Sequence, residues 1–496
     1  MANNHAPHKQ LQSMAVNLKS LAKDTAIYGL SSIVGRFLNY LLVPLYTHKL
    51  AAAGGGYGTI TNIYAYTALV LVILIFGMET TFFRFANKEG NDGDRVFGTA
   101  LSFVSVLSAL FLVVVLGGLT PISGALGYAD HPEFIAFMAI TVALDAFQAV
   151  PFAYLRYKRR PLKFATLKMA FIVLNITLNV IAFTCFTPYE GNAFLINLIC
   201  TGLITFAFIH EFRAAKWNLD RKLLGSMLTY SWPMLLLGIA GILNQTADKI
   251  IFPFVYTAVD AKEQLGIYGA VAKIAMIMAM ITQAFRYAYE PIVFGKGAGN
   301  NNKEYYASAM RYFIIFTLLA FLAVVAYLDV LQHLIGADYR KGLVVVPIVM
   351  AAEIMMGIYF NLSFWYKLTD RPIWGAYFSA IGCAVLIAVN VIFVPTYGYI
   401  ACAWAGCAGY GTSMVLSYLV GQRYYPIAYP MKAIGGYVLL AGVLFAAMIG
   451  LRIDSTIANL AYRTALLLVF MAVIYRAEHF GKVMCRLPII GKYFRK

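Results

Sequence analysis

The stretch IWGAYFSAIGCAVLIAVNVIFV, residues 373–394, contains no charged residue. The hydrocarbon core of a bilayer is about 30 Å thick, and a helix needs about 20 apolar residues to cross it. Backbone amides find no water in that core, so a segment that crosses it must satisfy them internally. Residues 373–394 are therefore predicted to form a transmembrane helix.

The rest of the chain has the same character as this stretch. Of its 496 residues, 61% are hydrophobic and only 12% are charged, and the mean hydropathy is +0.73. Soluble globular domains carry about 25% charged residues. The sequence thus predicts an all-α membrane protein with almost no soluble domain.

About fourteen stretches have the length and hydropathy of a transmembrane helix. The predicted spans are residues 24–47, 57–78, 96–117, 133–155, 164–187, 191–210, 223–246, 266–289, 308–329, 343–365, 373–394, 398–420, 433–451 and 457–476. The loops between them are short, and no phosphate-binding GxxxxGK[ST] or zinc-binding HExxH motif occurs. We therefore expect a protein that is not an enzyme and uses no cofactor. The six cysteines show no metal-ligand spacing, which favours packing roles and no metal site.

The basic residues predict the orientation of the spans. The first residues are polar and lack the apolar core of a signal peptide, so we expect an uncleaved cytoplasmic amino terminus. With that start, most of the 39 Lys and Arg residues fall in cytoplasmic loops. The external loops hold only Lys49, Lys262, Arg340, Lys341, Arg452 and Arg463. This bias follows the positive-inside rule, and it accounts for the net charge of +17 without a nucleic acid partner. Both termini are therefore expected in the cytoplasm.

An internal repeat divides the chain. Residues 43–47 (VPLYT) resemble residues 252–257 (FPFVYT), and Asn179-Val180-Ile181 recurs as Asn390-Val391-Ile392, at offsets near 210. Two halves with an even number of spans share one orientation, as in transporters built from parallel repeats. We predict a six-helix lobe at residues 1–215, a second at 216–425, and two appended helices with a basic cytoplasmic tail at 426–496.

Four cations lie within predicted spans, where each costs about 2.5–3.5 kcal/mol near a helix centre. They are Arg36, Lys249, Lys273 and Arg286. The candidate charge partners are Asp248, Glu290, Glu353 and Asp145. Arg36, with Asn39 three positions on, has no nearby acid in its span beyond Asp24. Cations that face a water-filled cleft suit an anionic substrate such as a phosphate or pyrophosphate, which arginine binds bidentately.

Arg84 closes the second span after Gly77-Met78-Glu79-Thr80-Thr81-Phe82-Phe83. One interpretation is a gate at the cytoplasmic mouth of a transport path. The other is a plain positive-inside anchor, which is what most basic residues at this depth are.

Several motifs together resemble a known family. They are Pro44-Leu45-Tyr46-Thr47, Tyr57-Gly58, the stretch from Gly77 to Arg84, Tyr230-Ser231-Trp232-Pro233, Asp248-Lys249 and Gly266-Ile267-Tyr268. In order and spacing they resemble the polysaccharide biosynthesis flippases, which export O-antigen and capsule repeat units. These belong to the multidrug/oligosaccharidyl-lipid/polysaccharide exporter superfamily.

The resemblance implies two pseudo-symmetric lobes around a cavity. By alternating access they would move an undecaprenyl-(pyro)phosphate-linked oligosaccharide to the outer leaflet for lipopolysaccharide, capsule or exopolysaccharide synthesis. It assigns pyrophosphate binding to Arg36 and also to Lys249, Lys273 and Arg286. The repeat offset places Gln245 opposite Arg36, so the halves are not chemically equivalent. Implied partners are membrane lipids, a polysaccharide polymerase and glycosyltransferases.

Two other interpretations stay open at this point. A lipid II flippase of peptidoglycan synthesis would share the cations and the fourteen spans. A cation-coupled multidrug antiporter of the same superfamily would have about twelve spans and would need acidic residues in a lobe cavity. A membrane-embedded glycosyltransferase or polymerase is disfavoured, because the loops are too short for a catalytic domain.

Overall fold

The computed structural model describes residues 40–217, 219–295, 302–369, 371–451 and 453–478. All regular secondary structure in these ranges is helical, which confirms the predicted fold class. The α-helices are α1 (Leu42–Lys49), α2 (Gly56–Ile75), α3 (Met78–Ala86), α4 (Gly93–Gly117), α5 (Leu119–Ala125), α6 (Pro132–Tyr157), α7 (Pro161–Cys185), α8 (Glu190–Ala207), α9 (Ile209–Ala214), α10 (Arg221–Val255), α11 (Ala261–Ala275), α12 (Ile277–Gly295), α13 (Asn302–Ala326), α14 (Leu328–Leu331), α15 (Val346–Leu362), α16 (Phe364–Leu368), α17 (Ile373–Tyr397), α18 (Tyr399–Tyr424), α19 (Met431–Gly450) and α20 (Thr456–Ala477). Short 3-10 segments cover Ala52–Gly54, Gln332–Leu334 and Ala337–Val345.

Each predicted span after the first coincides with one or two of these helices. Within the described ranges, 11 helices are long and apolar enough to cross a membrane, and α11 with α12 makes a twelfth if that pair, bent by 41°, is one span. The predicted span 398–420 corresponds to α18, which is long enough but less apolar. The predicted span 24–47 lies mostly outside the described residues. The count of fourteen therefore stays a prediction.

The second span is longer than predicted, because α2 and α3 form one membrane segment broken at Phe76 and Gly77. Both residues have positive φ, 53° and 67°, and glycine adopts that conformation without steric cost. A Cβ on Gly77 would also lie 3.0 Å from the Cβ of Met234. Beyond the break, the segment continues as α3 to Ala86 instead of ending at residue 78. Arg84 lies on these added turns.

Contacts divide the chain into two compact units, residues 1–269 and 270–496. In the first unit, α6 packs against α2, α4 and α8. One apolar cluster of the described residues joins α3 to α4 through Met78, Phe82 and Phe97, all of which are buried. The lobe boundaries at residues 215 and 425, and the repeat symmetry, stay predictions.

Two helices of the first unit touch backbone to backbone. A Cβ on Gly58 of α2 would lie 1.8 Å from the carbonyl oxygen of Lys262 and 3.0 Å from the amide nitrogen of Gly266, both in α11. A Cβ on Gly269 would lie 2.4 Å from Thr61 Oγ1. Small residues give membrane helices this close approach. The Tyr57-Gly58 and Gly266-Ile267-Tyr268 motifs therefore pack against each other.

In the second unit, α18 packs along both α17 and α15. A Cβ on Gly382 of α17 would lie 2.7 Å from the carbonyl oxygen of Gly409, and one on Gly409 would lie 2.8 Å from that of Gly382. Gly382 and Gly409 therefore let α17 and α18 cross with their backbones in contact, as small residues do in membrane helices.

Ion pairs fasten α20 to two other helices of the second unit. Arg463 of α20 pairs with Asp329 of α14 at 2.9 Å, and the Asn459 amide donates to the same carboxylate at 3.0 Å. Arg311 of α13 pairs with Glu478 at 3.3 Å, just beyond the end of α20. Membrane-embedded charges are retained when they meet a partner of opposite sign, so these pairs fix where α20 lies on its unit.

Gly58→Ala should destabilise the first unit, because the methyl group would overlap the Lys262 carbonyl. We expect a loss of about 1–3 kcal/mol, measured by thermal or denaturant unfolding of purified protein in detergent. Gly225→Ala is the matched control, since nothing lies within 4 Å of a Cβ at that helical position. Equal stability of the two variants would contradict the proposed backbone crossing.

Arg463→Ala should cost about 1 kcal/mol, since Asp329 loses its partner but keeps 38% of its side chain exposed. Combining it with Asp329→Asn should cost less than the sum of the two single changes, because the double variant leaves no unpaired charge. Arg476→Ala, an exposed arginine on the same helix, is the control for loss of charge alone. Strict additivity in a double-mutant cycle would show that the pair contributes nothing.

Candidate functional site

Lys249 and Asp248 form an ion pair near the end of α10, as the sequence suggests. The Lys249 Nζ lies 2.8 Å from Asp248 Oδ2, and the Tyr268 hydroxyl of α11 donates to the same oxygen at 2.7 Å. Lys249 Nζ also donates to the Gln245 carbonyl at 3.2 Å. Only 10% of the Asp248 side chain and 21% of the Lys249 side chain is exposed. The cation is thus already neutralised inside the first unit.

A hydrogen-bond chain extends this pair towards α2. The Asn62 side-chain amide donates to the Lys249 carbonyl at 2.8 Å, and its oxygen accepts from the Tyr128 hydroxyl at 2.8 Å. Burial raises the pKa of Tyr128 well above its usual range, so this hydroxyl keeps its proton. Lys262 Nζ donates to the Gly127 carbonyl at 3.0 Å and lies 4.4 Å from the centre of the Tyr128 ring.

We call Asn62, Tyr128, Asp248, Lys249 and Tyr268 the Asp248 cluster. It joins α2, α10, α11 and the turn before α6 at the end of the first unit that the charge bias predicts to be external. Sequence reasoning found only Asp248 and Lys249. A polar Asn62 inside an otherwise apolar span was the available signal for a third member, because such a side chain requires a hydrogen-bond partner.

Arg84 of α3 contacts α10 towards the end of that helix opposite the Asp248 cluster. Its guanidinium carbon lies 4.1 Å from the centre of the Tyr230 ring, and Tyr230 begins the Tyr230-Ser231-Trp232-Pro233 motif. Tyr230 and Lys249 are separated along the helix by roughly 28 Å, at a rise of about 1.5 Å per residue. The contact of Arg84 with Tyr230 and the Asp248 cluster are therefore separate sites towards opposite ends of α10.

Several cations at the same end of the first unit as Arg84 are paired with carboxylates. The pairs are Arg95 with Asp220, Lys158 with Asp94, Lys163 with Glu211, Lys216 with Asp92, and Arg156 with Glu79. Arg84 differs from them, since no carboxylate of the described residues pairs with it. It is also exposed, so its charge faces solvent at the predicted cytoplasmic end.

The remaining candidates in the second unit stand in different environments. Arg286 of α12 is half-buried, with its guanidinium carbon 4.4 Å from the centre of the Phe360 ring of α15. Lys273 of α11 and Glu353 of α15 are also half-buried. Glu290 is in α12, and its side chain lies outside the described part. The pairing of Arg286 with Glu290 therefore stays a prediction.

Arg36 and Asn39 lie outside the described residues. The nearest described element is α1, which is tied to α7 by a hydrogen bond from the Tyr46 hydroxyl to Asn179 Oδ1 at 2.8 Å. Both side chains are buried. Asn179 begins one of the repeated Asn-Val-Ile motifs, so this motif has a packing role in the first unit.

The candidate anion-binding residues differ in how far their charge is already paired. Binding of an anion to Lys249 competes with its pair with Asp248, and breaking that pair leaves a buried carboxylate without its counter-ion. Arg84 is exposed and pairs with no carboxylate of the described residues. Arg286 keeps the planar guanidinium that suits a phosphate, with one face against an aromatic ring.

Known proteins resemble this chain in sequence. The family described as polysaccharide biosynthesis protein matches residues 21–293. A curated relative, the probable low-salt glycan biosynthesis flippase Agl15 of Haloferax volcanii, is 20% identical over 452 residues, covering 86% of this chain and 89% of the relative.

Solved structures share the fold at low sequence identity. The lipid II flippase MurJ in an inward closed conformation matches with a TM-score of 0.72 and 14% identity, over 90% of this chain and 98% of that one. A multidrug resistance MATE family transporter in an inward-facing conformation matches with a TM-score of 0.58 and 16% identity, over 80% and 94%. At these identities the likeness concerns the fold alone. Because the family match spans more than half of its residues, the chain belongs to the polysaccharide biosynthesis protein family.

Proposed function

We propose that this chain is a flippase that moves an undecaprenyl-(pyro)phosphate-linked oligosaccharide from the cytoplasmic to the outer leaflet by alternating access. The observation that carries the proposal is the family match over residues 21–293. All the cations selected as substrate-binding candidates fall inside that match. The curated relative that is described as a probable glycan biosynthesis flippase supports the same class of activity.

The chemistry of this substrate fits the residues that the chain offers. A lipid-linked oligosaccharide carries a tail that stays in the bilayer, a polar sugar and an anionic linkage. The anionic linkage requires a cation that is not already neutralised. Among the described residues Arg84 best meets this condition. The sequence adds Arg36, whose predicted span contains no acid beyond Asp24. Arginine binds a phosphate through two parallel hydrogen bonds, which fixes orientation as well as charge.

The setting of this activity is part of the proposal. We infer a bacterial plasma membrane location with both termini in the cytoplasm, from the distribution of Lys and Arg between the loops. The product would serve O-antigen, lipopolysaccharide, capsule or exopolysaccharide synthesis. A polymerase and glycosyltransferases would then be functional partners.

A lipid II flippase is the second candidate, and the structural likeness to MurJ favours it over the antiporter. It would use the same cations for the same pyrophosphate. The multidrug antiporter differs in substrate, because it would bind cations and would gain nothing from unpaired arginines. The three functions are distinguished by measuring which substrate the protein moves.

Arg36→Ala should slow leaflet-to-leaflet movement of a labelled undecaprenyl-pyrophosphate oligosaccharide in liposomes by about 10- to 100-fold, the loss expected for a charge-assisted hydrogen bond. Lys49→Ala, an exposed lysine of α1, is the control. Arg36→Lys should retain part of the rate if charge alone matters, and little if the bidentate geometry matters.

Unchanged movement in folded Arg36→Ala protein would remove Arg36 from the binding site. Faster movement of lipid II than of the oligosaccharide lipid would identify the second candidate. Gradient-dependent efflux of a cationic dye, without lipid movement, would identify the antiporter.

Arg84→Ala should slow the same transport by about two- to tenfold at low ionic strength, because an exposed cation raises the local concentration of an anionic substrate. The effect should disappear in about 1 M salt, where the Debye length is about 3 Å. Arg84→Lys is the control, because it keeps the positive charge and should transport at the wild-type rate. A defect of Arg84→Ala that persists in high salt would indicate direct contact with the substrate instead.

A further inference from the structure

A group of cations lies at the predicted cytoplasmic end of the first unit, where α7 meets α9. Glu211 of α9 is buried, with 3% of its side chain exposed. Both of its carboxylate oxygens accept hydrogen bonds from Lys163 Nζ of α7, at 2.6 and 2.8 Å. Arg160, just before α7, has its Nη1 atom 4.0 Å from the same carboxylate, which is beyond hydrogen-bond distance. One carboxylate thus faces two cations, and only Lys163 is bonded to it.

Two exposed arginines lie beside this carboxylate. Arg159 precedes Arg160 in the turn between α6 and α7, and Arg213 follows Glu211 by two residues in α9. Neither arginine pairs with a carboxylate of the described residues. We call Arg159, Arg160, Lys163, Glu211 and Arg213 the Glu211 cluster. Its four cations and one carboxylate carry a net charge of +3.

The acids of the first unit do not neutralise this cluster. Four other cations at the same end each pair with a carboxylate of their own, so those acids are already matched. Outside the described side chains the chain has only three acids, Asp24, Glu290 and Asp370. Of these only Asp24 belongs to the first unit, and a contact with it would still leave the cluster at +2. The cluster therefore attracts anions from its surroundings.

The backbone at Arg159 is a second observation that points to a ligand. The end of α6 forms a Schellman motif, in which the Arg160 amide donates to the Leu155 carbonyl at 2.9 Å and the Arg159 amide donates to the Arg156 carbonyl at 3.1 Å. Arg159 occupies the left-handed position of this motif, with a φ of 52°. Glycine is favoured there because a Cβ strains the backbone. An arginine at a position that disfavours a side chain is typical of a ligand-binding site.

Exposed apolar side chains border the cluster. Leu162 of α7 and Phe206 of α8 each expose 73% of their surface, and Ile209 of α9 exposes 48%. Behind them, Phe208 packs edge to face on Phe152 of α6, with ring centres 4.8 Å apart, which holds the turn between α8 and α9 against α6. A cationic patch with an apolar border matches a phospholipid, because the headgroup meets the cations and the acyl chains meet the apolar side chains.

We propose that the Glu211 cluster binds the phosphate of an anionic phospholipid of the cytoplasmic leaflet. Arg159 and Arg160 donate hydrogen bonds to the phosphate oxygens, which arginine can bind in pairs. Lys163 stays on Glu211 and holds α9 to α7. The acyl chains lie along the exposed apolar border.

A phospholipid suits this site better than the transported lipid does. The site lies on α7 and α9, whereas Arg84, where we propose that the substrate arrives, contacts Tyr230 of α10. Anionic phospholipids cover the cytoplasmic leaflet at all times, and their surface potential attracts basic residues within a Debye length. A phosphate diester and a pyrophosphate share the same chemistry, so both lipids are tested.

The test uses the purified full chain in a neutral detergent with equal amounts of phosphatidylglycerol and phosphatidylcholine, and native mass spectrometry counts the lipids that stay bound. Wild type should retain phosphatidylglycerol in preference. Arg160→Ala should weaken that binding about fivefold, the effect of one basic residue near an anionic lipid surface. Arg221→Ala is the matched control, an exposed arginine of α10 outside the cluster, and should retain the lipid as wild type does.

Arg159→Gly separates lipid binding from folding. It should weaken phosphatidylglycerol binding by a similar factor, because it removes one cation. Its unfolding temperature without lipid should be no lower than that of wild type, because glycine relieves the left-handed backbone. A purely structural role for Arg159 gives the opposite result, a lower unfolding temperature with unchanged lipid retention, and overturns the proposal.

The other outcomes also decide. Equal retention of the two phospholipids by wild type overturns the proposal. Equal losses in Arg160→Ala and Arg221→Ala also overturn it, because they indicate diffuse attraction by all the basic residues at this end. Displacement of phosphatidylglycerol by an equimolar amount of undecaprenyl pyrophosphate overturns it by assigning the cluster to the transported lipid. If Arg160→Ala does not fold, Arg159→Gly decides alone.

Discussion

The hydrocarbon core of a bilayer offers no water to a backbone amide or to a charge, and the described structure follows from that constraint. Its regular secondary structure is helical because a helix satisfies its own amides. Its charged side chains inside or beside spans mostly meet a partner, as Asp248 meets Lys249 and Asp329 meets Arg463. Arg84 pairs with no carboxylate of the described residues, and we propose that it attracts the anionic substrate.

Apolar side chains do not drive helices together in lipid as they do in water, so close backbone contact has to supply the attraction. The glycines at the α2–α11 and α17–α18 crossings provide it, because backbone groups of the facing helix occupy the space that a Cβ would fill. The motifs that carry the family resemblance include two of these glycines, Gly58 and Gly266. Their spacing in the sequence therefore reflects a packing requirement within the first unit.

The two ends of α10 lie in different chemical environments. One end holds the Asp248 cluster, whose charges are internally balanced and whose hydrogen bonds connect three helices and a turn. The other end carries Tyr230 beneath the exposed guanidinium of Arg84. A neutral, hydrogen-bonded end suits a structural junction, and a cationic, exposed end suits the arrival of an anionic substrate.

The sequence by itself determined the membrane class, the helical fold and most spans to within a few residues, because hydropathy and length fix which segments can enter a bilayer. It also identified the Asp248 and Lys249 pair, since adjacent residues need no fold to meet. Only the tertiary structure decided that Asn62, Tyr128 and Tyr268 complete that cluster. It also decided that Arg84 pairs with no carboxylate of the described residues, while Arg95, Arg156 and Lys158 do. The pairing of a charge depends on which helices pack together, and hydropathy carries no information about helix neighbours.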